Sequence, residues 1–150
     1  MFLELLKRRN PNLVRAAVHL HQNGLIPPNT FLLDADHIEQ NVVAIKNEAR
    51  KWNLSLYFML KQIRNPQLFD FILDRNVPQT VCVDTKDAKV VWESGHLVGH
   101  VGHLVQTPNA ELREIVLMQP EVVTVFSLEK ARRVSEEAGK LGRVQDLLLR

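Results

Sequence analysis

The sequence is poor in cysteine and in long apolar runs, and each shortage excludes a class of protein. It contains one cysteine, Cys82, in 150 residues, so an internal disulfide and a cysteine-rich metal site are both excluded. We therefore expect a reducing compartment, by default the cytoplasm. No apolar run approaches the ~20 residues of a membrane span. Residues 1–9 also lack the apolar core and cleavage site of a secretory signal.

An excess of charge of one sign is also missing. The 19 Lys and Arg residues nearly balance the 17 Asp and Glu residues, and the formal net charge is +2. The two signs are interspersed along the chain rather than gathered in runs. Binding to nucleic acid or to an anionic membrane depends on concentrated positive charge. We therefore expect neither nucleic acid nor a membrane as the main partner.

The chain does contain a regular alternation of apolar runs and helical stripes from residue 56 onward. The apolar runs recur every 21 to 24 residues, and their centres are Phe58, Cys82, His103, Thr124 and Leu147. This strand and helix alternation predicts an α/β fold with a parallel sheet. Near-equal units favour a (β/α) barrel of the TIM type. A doubly wound open sheet has the same local signature, so both architectures remain open on this pattern.

The residues before this alternation predict an N-terminal helical extension over 1–29. Asn10 and Pro11 begin a helix that Gly24 ends, and two prolines follow as a linker. A brief extended segment comes next, and Asp34 or Asp36 caps a longer helix. Its apolar stripe is expected to pack on a core: Ile38, Val42, Ile45, Ala49 and Trp52. The predicted domain boundary therefore lies between residues 1–29 and 30–150.

The last apolar run, 144–149, ends at Arg150 with no helix after it. About five βα units are present, and five strands do not close a barrel. An open parallel sheet leaves apolar edges exposed. We expect that the sequence is the N-terminal part of a longer protein, or that a partner covers the sheet.

Polar residues follow each apolar run, where parallel sheets bind ligands. Asp84, Thr107 and Ser127 are suited to cap the helices that follow them, and capping is their favoured interpretation. Lys61 has no capping role and comes directly after the apolar run that ends at Leu60. A lysine beside low-dielectric walls can lose its proton and attack a carbonyl. The alternative for Lys61 is an ordinary exposed lysine beyond a strand.

The histidines do not make a convincing metal site in the sequence. Residues three apart face opposite sides of a strand, so His100 and His103 are predicted not to share an ion. His96 and His100 have no carboxylate or cysteine nearby to complete a ligand set. No metal is therefore predicted. His100 or Gln106 is instead expected to face a ligand, and the glycines beside them, Gly99 and Gly102, predict a close backbone approach or a bend.

Two segments resemble the entry to the alanine racemase N-terminal domain family, the fold-type III pyridoxal-phosphate enzymes. They are Phe31–Asn41, with a short strand ending in Asp34, and Tyr57–Lys61, which is similar to the family's first barrel strand. Two later segments, Val98–Gln106 and Val122–Ser127, resemble one branch of this family. The resemblance covers residues 30–150.

The resemblance implies the N-terminal part of a partial (β/α)8 TIM-type barrel that binds pyridoxal 5′-phosphate. Lys61 would form the internal aldimine and act as catalytic base, with Gln106 and Arg150 also facing the cofactor. The activity implied is that of an isomerase similar to amino-acid racemases, with an amino-acid substrate. Because such enzymes take a second base from a partner subunit, a homodimer is possible. Asn65 stands where racemases of this family have a tyrosine. The alternatives are a non-catalytic protein that binds and buffers the cofactor, or an inactive barrel fragment.

Overall fold

The computed structural model describes residues 2–69, 72–73 and 77–150. The chain divides into two compact units, residues 1–38 and residues 39–150. No helix in the described part of the chain is long and apolar enough to cross a membrane. The two units are described separately below.

The first unit contains α1 (Phe2–Arg9), α2 (Pro11–Gln22) and the beginning of α3 (Ala35–Lys51). The Asn10 side chain accepts a bond from the Leu13 amide at 3.0 Å, so α2 begins as predicted. Of the two aspartates proposed to cap α3, Asp34 does so, because its Oδ1 accepts from the His37 amide at 3.0 Å. The preceding segment, 30–34, was predicted to be extended, and the resemblance placed a short strand there. It belongs to no strand.

The second unit is built on five strands. They are β1 (Tyr57–Met59), β2 (Gln79–Cys82), β3 (His100–Val101), β4 (Val122–Val125) and β5 (Leu147–Leu149). Every neighbouring pair is parallel, and the spatial order is β1-β2-β3-β4-β5. A doubly wound sheet reverses its strand order and carries helices on both faces. Sequential order with right-handed crossovers leaves all connections on one face, as in a barrel. The fold is therefore α/β and a partial TIM-type barrel, as predicted.

Three helices connect the later strands: α4 (Thr85–Glu93), α5 (Leu112–Leu117) and α6 (Leu128–Lys140). Single 3₁₀ turns cover Leu60–Gln62, Pro66–Leu68 and Asn109–Glu111. The described apolar residues of the stretch that follows Pro66 are buried, namely Leu68, Phe69, Ile72 and Leu73. The rest of that stretch, 70–71 and 74–76, lies outside the described residues.

The two faces of the sheet carry different side chains. Strand register places five side chains of β2 to β4 on a common face, and each is at most 1% exposed: Thr80, Cys82, Val101, Val123 and Val125. Leu147 and Leu149 of β5 share this face and are exposed. This is the face that the helices cover. The opposite face is mixed: Val81 and Thr124 are buried, while the other side chains are partly buried, namely Tyr57, Met59, Gln79 and His100. In a barrel this second face is the inner wall, where ligands approach the strand ends.

The apolar stripe predicted on α3 is mostly not part of the core. Ala49 is buried, but Ile45 and Trp52 are exposed. Trp52 directly follows α3, and its indole donates a hydrogen bond to Glu48 Oε1 on that helix at 3.2 Å. Helical periodicity predicts which residues share a face of a helix, but it does not predict how much of that face other parts of the protein bury.

Candidate functional site

Lys61 lies at the carboxyl end of β1, where the sequence predicted it. Leu60, its neighbour, is completely buried and anchors the turn in the core. Lys61 itself is exposed. An amine at this edge is accessible to a small molecule, and the buried Leu60 holds the backbone on its N-terminal side.

The loop after Lys61 is tied to the first turn of helix α4 by an ion pair. Arg64 Nε lies 3.1 Å from Asp87 Oδ1. The Asp87 side chain is only 5% exposed, and its Oδ2 accepts from the Val83 amide at 3.1 Å. Sequence reasoning missed this pair. The available signal was an aspartate in the first turn of α4, where the helix dipole favours negative charge.

Two of the three predicted helix caps are confirmed. Asp84 Oδ1 accepts from the Asp87 amide at 3.0 Å, and Ser127 Oγ accepts from the Lys130 amide at 3.1 Å. Thr107 is not a cap, so that prediction is wrong. Pro108 precedes the 3₁₀ turn instead, and the buried Thr107 hydroxyl has no hydrogen-bond partner. Its backbone carbonyl accepts from Lys130 Nζ at 2.8 Å.

His100 and His103 lie together, contrary to the prediction that a strand would separate them. Their rings are edge to face, with centroids 5.6 Å apart. Strand β3 contains only His100 and Val101, and the chain turns at Gly102, whose φ is +83°. The alternation of faces therefore ends before His103. The predicted bend at Gly102 is confirmed.

His100 is also bonded to the adjacent strand. Its Nε2 lies 2.5 Å from Thr124 Oγ1, and Thr124 is almost completely buried. Burial, and after it the neighbouring His103, lower the pKa of His100. The neutral ring is therefore the favoured form on this inner face. Among the described residues, no group of three His, Cys, Asp or Glu side chains is placed to hold a metal ion.

Gln106 and Arg150 lie at the β3–β5 end of the same edge. Gln106 Oε1 accepts from the Phe126 amide at 3.1 Å, while its Nε2 is buried without a partner. Arg150 Nη1 donates to the His103 carbonyl at 2.9 Å. The Gln106 bond connects the segments after β3 and β4, and the Arg150 bond connects the end of β5 to the turn after β3, whereas Lys61 lies at the β1 end. Their predicted contact with a cofactor stays a prediction.

The polar groups that could meet pyridoxal phosphate lie in two places, the Lys61 amine and a cleft that Lys61 does not line. An exposed primary amine on Lys61 matches the aldehyde of the cofactor. Three buried polar atoms lack partners, and they belong to residues that line one cleft of about 150 Å³: Thr85 Oγ1, Gln106 Nε2 and Thr107 Oγ1. Unpartnered buried donors are costly, and a polar ligand or water can satisfy them.

Comparison with known proteins found similarity in sequence and in fold. No family model matches the chain. The chain is 43% identical over 151 residues to the uncharacterized protein YhfX of Escherichia coli K12, and this match covers 100% of the chain but 39% of YhfX. Its fold is similar to the crystal structure of a D-threonine aldolase from Filomicrobium marinum, with a TM-score of 0.65 and 20% identity. That match covers 79% of this chain and 32% of the aldolase.

These similarities agree with the sequence analysis at the level of the fold. The later segments, Val98–Gln106 and Val122–Ser127, pointed to the branch that YhfX typifies, and YhfX matches the whole chain. The aldolase shares the barrel-type architecture. The chain spans about two fifths of the length of YhfX, so the activity of a whole protein is a matter for proposal.

Proposed function

We propose that this chain is the cofactor-anchoring part of a pyridoxal-phosphate-dependent enzyme of fold type III, similar to amino-acid racemases. The observation that carries the proposal is the position of Lys61. It presents an exposed amine directly after β1, at the carboxyl edge of a sequentially ordered parallel sheet. The fold is similar to that of a D-threonine aldolase, an enzyme named for an amino acid. This similarity supports an enzyme that acts on amino acids.

Each residue has a distinct role in this proposal. Lys61 Nζ would hold the aldehyde of the cofactor until the amine of an amino-acid substrate takes its place, and the freed Lys61 amine would then take and return the α-proton on one face of that substrate. Gln106 Nε2, a buried donor without a partner, offers a hydrogen bond to a polar group of the ligand, and Arg150 offers positive charge at β5. When bound, pyridoxal phosphate supplies the electron sink for the substrate carbanion.

The decisive experiment measures the visible absorption band of the protein after addition of pyridoxal phosphate. The native protein, Lys61→Ala and Lys86→Ala are compared before and after borohydride reduction. Lys86 is a matched control because it is an exposed lysine in the first turn of α4, at the same edge of the sheet. We expect the band in the native protein and in Lys86→Ala, and its loss in Lys61→Ala. Peptide mass analysis should find the reduced adduct on Lys61.

The same preparation separates the proposed enzyme from its alternatives. A Lys61-dependent band with interconversion of D- and L-amino acids supports the isomerase. The same band without turnover supports a cofactor-binding protein. A band that persists in Lys61→Ala rejects Lys61 as the anchor, and no band in the native protein favours an inactive fragment. Sedimentation of the cofactor-loaded protein tests the proposed homodimer.

A further inference from the structure

The segment that carries Lys61 contains no long helix or strand that would fix its position. After the buried Leu60 the chain passes through one 3₁₀ turn and reaches Asn65, whose Oδ1 accepts from the Gln67 amide at 3.0 Å. Between these two points lie residues 61–64, and Lys61, Gln62 and Arg64 are exposed. An exposed loop with few buried contacts opens easily unless another bond restrains it.

The restraint comes from the neighbouring βα unit. Asp87 is a buried carboxylate that accepts from the Val83 amide and lies 3.1 Å from Arg64 Nε. The Val83 amide directly follows β2, and Asp87 itself sits in the first turn of α4. A buried carboxylate is costly without a cation and hydrogen bonds. Removing Arg64 therefore leaves the Asp87 charge uncompensated, and removing the Asp87 charge leaves the loop of Arg64 without this restraint.

We propose that Asp87 is a positioning residue, which holds Arg64 and thereby fixes the loop that presents Lys61. We call residues 61–65 the lysine loop. The effect of Asp87 on cofactor capture rests on the proposed function of Lys61. The restraint of the lysine loop by Asp87 is independent of that function. Asp87 touches neither substrate nor cofactor in this proposal and acts through Arg64.

The matched control is another ion pair of the same helix. Lys89 Nζ lies 2.9 Å from Glu114 Oε2, and both side chains are more exposed than Asp87. This pair joins α4 to α5 and does not involve the lysine loop. Lys89→Met therefore removes one cation from α4 without affecting Asp87. The test variants are Arg64→Met, Asp87→Asn, their double variant, and Arg64→Lys.

The first measurement is amide hydrogen exchange of residues 60–68, made without cofactor. We expect exchange in the lysine loop to rise about tenfold in Arg64→Met and in Asp87→Asn, and not in Lys89→Met. The double variant should exchange no faster than the single variants, because both changes remove the same interaction. Arg64→Lys keeps the charge but loses the planar fork, so we expect partial rescue. Equal exchange in all variants overturns the restraint.

The second measurement is the dissociation constant of pyridoxal phosphate, read from the visible band. We expect Arg64→Met and Asp87→Asn to weaken capture about tenfold, with a shifted band, while Lys89→Met matches the native protein. Faster exchange with unchanged capture overturns the link between Asp87 and Lys61. If the native protein captures no cofactor, the proposed function fails, and the exchange data still decide the restraint of the loop. Melting temperatures identify any variant that fails to fold.

Discussion

The rings of His100 and His103 lie edge to face, with their centroids 5.6 Å apart, although the two residues are three positions apart at a strand end. The turn at Gly102 brings them together, and Thr124 holds the His100 ring from the adjacent strand. The inner face of the sheet therefore carries a pair of imidazoles, one of them bonded to a buried hydroxyl. This pair gives the first prediction.

Stability should fall as the pH drops through the titration range of histidine. Burial and the neighbouring His103 lower the pKa of His100, so the folded protein resists protonation there. The unfolded chain, with a histidine pKa near 6.5, then binds the proton first, and the stabilisation present above that pH is lost below it. Urea unfolding of the native protein and His100→Gln at pH 7.5 and 5.5 tests this. The variant should lose less stability than the native protein over that interval. An equal loss would contradict the assignment to His100.

Substitution of Gly99 should destabilise the second unit strongly. A Cβ atom at Gly99 would lie 2.6 Å from the Thr80 carbonyl oxygen and 2.9 Å from the Thr80 amide nitrogen, which are backbone atoms. We expect Gly99→Ala to cost about 2 kcal/mol, measured by chemical unfolding. Gly139→Ala is the control, since it adds a methyl group in open space on α6 and should stabilise by up to about 1 kcal/mol. Equal effects of the two substitutions would refute the close approach of β2 and β3.

The Cys82 thiol should resist alkylation in the native protein. Burial raises the pKa of Cys82 to about 12, and the side chain is completely buried. At pH 8 the thiolate population should be lower than that of an ordinary cysteine by about a thousandfold. Timed labelling with iodoacetamide, followed by mass spectrometry, measures the rate with and without urea. Similar rates in the two conditions would be incompatible with this burial.

Removal of the Ser127 hydroxyl and removal of the Thr107 hydroxyl should have opposite effects on stability, although both residues were predicted to be helix caps. Ser127→Ala loses the cap of α6 and should cost about 1 kcal/mol. Thr107→Val removes a buried hydroxyl that has no partner, so it should be neutral or stabilise by about 1 kcal/mol. Chemical unfolding of both variants gives the comparison. A clear loss of stability in Thr107→Val would mean that its hydroxyl has a bonded partner, such as an ordered water.

The features that could be predicted from the sequence depend on residues that are close to each other along the chain. The strand and helix alternation after residue 56 follows from apolar periodicity, and the caps at Asn10, Asp84 and Ser127 follow from side chains that bond their own turn. The position of Lys61 at the end of β1 belongs to the same group. Each of these signals lies within a few residues, so one sequence contains all of it.

From the sequence alone one can predict that strands and helices alternate after residue 56 and that a lysine follows the first strand. Four features could be seen only in the folded protein: the sequential strand order, the contact of His100 with His103, the unpartnered Thr107 hydroxyl and the bond between Arg64 and Asp87. The physical reason is the range of the interactions. Local capping and periodicity act along the chain, whereas strand order, ring contacts and buried ion pairs depend on which distant segments fold beside each other.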